Sequence, residues 1–129
     1  MPRYLSPEWF EAAQAAIDAR GTVAEVTIDR PVVVQHVVTG AKEGSVTYHV
    51  RVNGDGIRLE AGDDPDATVV FTEDYATAAA IGRGELSAQG ALMTGRIRAT
   101  GDLPRLVEHS DLFRGLEDVL AALRPETSY

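Results

Sequence analysis

Apolar residues recur at helical spacing near both ends of the chain. Ser6-Pro7-Glu8 is a sequence typical of a helix start. The apolar residues that follow it at helical spacing are Trp9, Phe10, Ala13, Ala16 and Ile17. The second such stripe consists of Leu112, Phe113, Leu116, Val119, Leu120 and Leu123. The pattern therefore predicts one helix that ends at Gly21 and another that Pro125 stops, with the last four residues frayed.

Between these helices the period of the pattern changes to two. A nearly continuous apolar run at residues 32–38 and alternation at 46–52 and 57–61 predict a three-stranded meander, with a Gly-rich turn at 53–56. Residues 67–72 and 96–100 predict two further strands, and residues 23–28 are an additional candidate strand.

Two shorter helices are predicted between the last two of these strands. Thr72 can cap a helix opened by Glu73 and Asp74, and Ser87 can cap the next helix. We therefore predict an α+β fold, a five-stranded mostly antiparallel sheet covered by helices on one face. No repeat or linker divides the chain, so residues 1–129 are predicted to form a single domain.

Composition narrows the classes of function. The chain has no cysteine, which excludes thiol catalysis, disulfides and iron–sulfur clusters. Its net charge of −8 argues against nucleic-acid binding. There is no apolar run of the roughly 18 residues that a membrane helix needs, and no secretory signal, so we expect a cytoplasmic protein without stable membrane insertion. The bias towards Ala and Arg suggests a bacterial source.

Catalytic and metal-binding motifs are absent from the sequence. It contains neither G-x-S-x-G nor a phosphate-binding loop, and no H-E-x-x-H pairing. His36 and His49 lie on neighbouring predicted strands and face one side only if the register allows it. The acidic run at 63–66 lacks the spacing of a calcium loop and predicts a turn. We therefore predict no metal and no cofactor.

The helix at residues 75–81 is built almost entirely from small apolar residues. Small side chains leave room either for the close approach of another backbone or for a cavity. Periodicity alone does not separate these two interpretations.

The segment from Asp66 to Asp102 is the most specific part of the sequence. It reads D-A-T-V-V-F-T-E-D-Y and, further on, G-R-G-E-L-S-A-Q-G-A-L-M-T-G-R-I-R-A-T-G-D. This segment resembles the sterol carrier protein type 2 lipid-binding domain, a family with a long motif of Gly, Leu, Gln, Met and apolar positions. The residues that match the motif are Gly84, Leu86, Gln89, Leu92, Met93, Gly95, Ile97, Gly101 and Asp102.

The resemblance implies a five-stranded sheet with an apolar tunnel between sheet and helices. It also implies non-catalytic binding or transfer of a fatty acid, a fatty acyl-CoA or another lipophile. The residues predicted to contact this ligand are Tyr75, Ala79, Gln89, Leu92, Met93, Leu106, Phe113 and Leu116.

Two other functions remain open from the sequence. The first is a pathway-specific cyclase or isomerase that reuses the tunnel, with His36, His49 or Asp102 as acid or base. The second is a protein-interaction module, since related domains occur fused to enzymes.

Overall fold

The computed structural model describes residues 1–20, 30–42, 44–54 and 56–129. The helices are α1 (Pro7–Arg20), α2 (Tyr75–Gly82), α3 (Ala88–Met93), α4 (Leu103–Glu108) and α5 (Ser110–Ala121), followed by a 3-10 turn at Arg124–Glu126. The strands are β1 (Val32–Ala41), β2 (Gly44–Asn53), β3 (Gly56–Ala61), β4 (Val69–Asp74) and β5 (Arg98–Gly101). The candidate strand at 23–28 and the predicted helix end at Gly21 lie outside the described residues.

The five strands form one sheet in the order β3-β2-β1-β4-β5. Strand β1 pairs antiparallel with β2 and parallel with β4. The pairs β2–β3 and β4–β5 are antiparallel. The predicted α+β fold with a mostly antiparallel sheet is confirmed.

The hydrophobic core lies between α1, α2, α5 and one face of the sheet, which we call the inner face. Partners across the sheet point to the same side, so Val34, Val50 and Leu59 share this inner face. The helices add Trp9 and Leu116, both buried in the same region. Of the described helices, none is long and apolar enough to cross a membrane.

The opposite face of the sheet is covered in part by the loop at residues 62–68. The Arg51 Nη2 donates a hydrogen bond to Asp64 Oδ2 at 2.7 Å, and the Asp64 backbone N–H donates to Gln35 Oε1 at 2.8 Å. His49 Nδ1 lies 2.8 Å from the Gly62 carbonyl oxygen. The acidic run at 63–66 is thus a turn tied to the sheet, as its composition predicts.

This loop is expected to make stability depend on pH. Burial raises the pKa of the Asp64 carboxyl, but hydrogen bonds from the Asp66 backbone N–H and from Arg51 outweigh it, so the pKa lies below its usual value. Because the folded-state pKa is lowered, this stabilisation is present above the unfolded pKa of about 4 and is lost as pH falls through the folded value. Asp64→Asn should lower the free energy of unfolding, measured by urea denaturation, by about 1–3 kcal/mol at pH 7 and by much less at pH 2.5.

Asp63→Asn is the matched control, because Asp63 is exposed in the same turn. Its cost should stay within about 0.5 kcal/mol at either pH. An Asp64→Asn cost that is equal at both pH values would contradict the role of the ionised carboxylate.

Two local predictions were wrong. The predicted cap Thr72 and the predicted opening residue Glu73 both belong to β4, and the N-cap of α2 is Asp74, whose carboxylate accepts from the Thr77 backbone N–H at 2.7 Å. The strand continues because Glu73 and Asp74 stay paired with β1.

The last residues are not frayed. The backbone at Ser128 bridges to Arg3, and the Tyr129 hydroxyl donates to the Gly82 carbonyl oxygen at 2.9 Å. Long-range aromatic packing, which periodicity does not report, holds this segment in place: the Tyr129 and Tyr4 ring centroids are 5.0 Å apart.

Candidate functional site

A pocket of about 230 Å³ lies where four separate parts of the chain meet. These parts are the N-terminal residues, the β1–β2 hairpin, the start of α2 and the C-terminal residue. Its lining consists of Arg3, Tyr4, Leu5, Ala41, Lys42, Val46, Tyr75 and Tyr129. We call it the tyrosine pocket.

The aromatic walls of the tyrosine pocket are fixed by α2. The Tyr4 hydroxyl donates to the Ala78 carbonyl oxygen at 3.4 Å, and the Tyr129 hydroxyl donates to that of Gly82. Burial, and after it the negative charge of Glu73, raises the pKa of Tyr4 far above its usual value. Tyr4 is therefore a neutral donor, and both rings are held in position before any ligand arrives.

A strained turn shapes the base of this pocket. Leu5 has a φ of +64° and is the only non-glycine residue with a positive φ in the described ranges. The Ser6 backbone N–H donates to the Arg3 carbonyl oxygen at 3.0 Å, which closes the turn around it. Such a conformation costs about 1–3 kcal/mol, and strain of this kind concentrates at functional sites.

A second pocket of about 470 Å³ has a simpler construction. Its lining comes entirely from residues 1–8. Because a single short segment forms this pocket, the tyrosine pocket is the candidate site.

A half-buried histidine and a buried carboxyl group lie close together on the inner face. The Glu73 side chain is 5% exposed, and its Oε1 is 3.5 Å from His36 Nδ1. Neither His36 Nδ1 nor Glu73 Oε2 forms a hydrogen bond with a described residue. The His36 ring stacks on Tyr48 with centroids 4.7 Å apart. Because His36 pairs with Tyr48 and His49 with Gln35, the two histidines face opposite sides of the sheet.

The eight predicted ligand-contact residues lie in different environments. Ala79 and Leu116 belong to the hydrophobic core, and Tyr75 and Phe113 pack half-buried against it. Leu106 is half-buried on α4. On α3, Gln89 is exposed, as are Leu92 at 39% and Met93 at 80%. Of the eight, Tyr75 alone lines the tyrosine pocket, and the contact of the set with a ligand stays a prediction.

Sequence reasoning missed most of the tyrosine pocket. The residues it did not single out include Arg3, Tyr4, Lys42 and Tyr129. The available signal was compositional: Lys42 is the only lysine of the chain, and it lies in the hairpin turn after the central strand.

Comparisons with known proteins place the chain in a family. The model of the SCP-2 sterol transfer family matches residues 12–114. A conserved hypothetical protein of Thermus thermophilus superposes with a TM-score of 0.73 at 16% identity, covering 95% of this chain and 91% of its own. The crystal structure of a sterol carrier protein 2 gives a TM-score of 0.69 at 18% identity, covering 92% and 98%.

The palmitated SCP2L2 of Aedes aegypti gives a TM-score of 0.59 at 22% identity and covers 89% of this chain and 94% of its own. At these identities the superpositions show the fold alone. No curated protein sequence matches this chain significantly. The family match covers most of the chain, and the chain belongs to the SCP-2 sterol transfer family.

Proposed function

We propose that this protein binds and transfers a hydrophobic small molecule, such as a fatty acid or a fatty acyl-CoA, without catalysing a reaction on it. The observation that supports this proposal most directly is the incomplete burial of the apolar side of α4 and α5. Leu106, Leu112 and Phe113 are only half-buried, whereas Leu116 and Val119 on α5 are buried. A ligand that covered the half-buried groups would gain roughly 25 cal/mol per Å² of apolar surface removed from water.

The predicted contact residues take different parts in this proposal. Tyr75, Leu106 and Phe113 offer partly exposed apolar surface, and Ala79 and Leu116 support it from within the core. On α3, the exposed Leu92 and Met93 extend the apolar contact and Gln89 supplies a polar group.

The enzyme alternative has little support in the structure. The Asp102 carboxylate caps α4 by accepting from the Arg105 backbone N–H at 3.2 Å. His49 lies on the opposite sheet face, next to the Gly62 carbonyl. Of the three residues, only His36 lies on the inner face.

Titration with the fluorescent fatty acid cis-parinaric acid tests the proposal. We expect saturable binding with a Kd in the micromolar range or tighter, and recovery of the ligand chemically unchanged. Phe113→Ala should weaken binding about tenfold, since it removes a large apolar contact.

Val107→Ala is the control variant, because Val107 is 68% exposed on α4 and lies outside the predicted set. Its affinity should match the parent protein within about twofold. The absence of saturable binding to protein that circular dichroism shows to be folded would refute the proposed function.

A further inference from the structure

We propose that the tyrosine pocket binds the anionic head group of an amphiphilic ligand, a carboxylate or a phosphate, with Lys42 as its cationic partner. The proposal rests on the proposed function and specifies which part of the lipophile this site holds.

The charge of the pocket lining differs from that of the whole molecule. The chain carries 20 acidic and 12 basic residues. Among the described residues, the lining of the tyrosine pocket nevertheless contains Lys42 and no acidic side chain. Lys42 forms no ion pair with a described residue and is exposed. Lys42 thus offers a local positive charge to an anionic group on a molecule that is acidic as a whole.

The two carboxylates at the end of β4 are both engaged elsewhere. Glu73 is buried beside His36 on the inner face and does not line the pocket. The Asp74 carboxylate accepts hydrogen bonds at the start of α2. Neither of these two acidic groups lines the pocket beside Lys42.

The tyrosine pocket borders the hydrophobic core. Val46, Tyr75 and Tyr129 line the pocket and also pack against the buried cluster. A head group at Lys42 would therefore place the first part of an alkyl chain against Tyr75 and Val46. The rings of Tyr4 and Tyr129 are already fixed by their hydrogen bonds to α2, which reduces the entropy lost on binding.

Three ligands of equal chain length test the proposal: dodecanoate, dodecyl phosphate and dodecanol. The parent protein should bind the two anions more tightly than the alcohol. Lys42→Gln should weaken binding of the anions about fivefold to tenfold and change that of dodecanol by less than about twofold. The anion that binds more tightly identifies the head group as a carboxylate or a phosphate.

The single lysine gives a readout that does not depend on affinity. Reductive methylation with ¹³C-formaldehyde labels one lysine side chain, Lys42, for NMR. Its signal should shift on addition of dodecanoate and remain in place on addition of dodecanol. Ala41→Trp should also weaken the binding of all three ligands, because Ala41 lines the pocket and an indole would fill it.

Arg58→Gln is the charge-matched control, because Arg58 is exposed on β3 next to Glu60. It should leave all three affinities unchanged. Equal binding of dodecanoate and dodecanol, unaffected by Lys42→Gln, would overturn the head-group site and leave lipophile binding intact. Absence of binding for all three ligands would overturn the proposed function with it.

Discussion

Gly101→Ala should destabilise the protein by about 3 kcal/mol or more. Gly101 ends β5 with a φ of +108°, a conformation that alanine rarely adopts. An added Cβ would overlap the Thr68 carbonyl oxygen and lie 3.1 Å from Val69 Cα. Both obstacles are backbone atoms of the neighbouring chain segment, so no side-chain rotation relieves the clash. Urea denaturation followed by circular dichroism measures the loss.

Gly95→Ala separates backbone strain from this close approach. Gly95 has a φ of +80°, but an added Cβ would meet nothing within 4 Å. Its cost should be about 1–2 kcal/mol, from backbone conformation alone. Equal costs at the two positions would mean that β5 moves away from Thr68 without penalty.

Ala79→Trp should reduce the stability of the protein by a similar amount. Ala79 is 3% exposed on α2 and belongs to the hydrophobic core. An indole at this position has to displace packed side chains, and we expect a cost of about 3 kcal/mol or more. Ala76→Trp is the matched control, because Ala76 is exposed on the same helix and its substitution should change stability by about 0.5 kcal/mol at most.

The Ala79 variant also separates the two interpretations of the small residues in α2. A stable variant that no longer binds cis-parinaric acid would show that Ala79 lines a cavity. A strongly destabilised variant would show that the small residues allow close packing of α2 on the core.

The elements of the fold could be predicted where burial follows local periodicity. The inner face carries Val50 and Leu59 at the expected alternate positions, and Ser87 caps α3 as its sequence indicates. The parallel pairing of β1 with β4 joins Val34 to Val69, and alternation within a strand does not specify its neighbour.

The candidate site was less predictable, because it also depends on contacts between residues that are distant in the sequence. Tyr75 was predicted because it belongs to a helical segment with an unusual composition. Tyr4 and Tyr129 form the same pocket from opposite ends of the sequence, and no local pattern connects them. The charge of the lining depends equally on the tertiary fold, since Arg3 and Lys42 lie far apart in the sequence and line the same pocket.

The mixed pairing of β1 also implies an order of assembly during folding. Strands β1, β2 and β3 are joined by short turns, so their antiparallel pairs close small loops at little entropic cost. Strand β4 returns to β1 only after the chain has passed through this meander. The meander therefore provides the edge on which β4 aligns, and β5 then pairs with β4. We therefore expect the pocket residues on the hairpin to reach their places early, and those contributed by α2 and the chain ends to complete the pocket late.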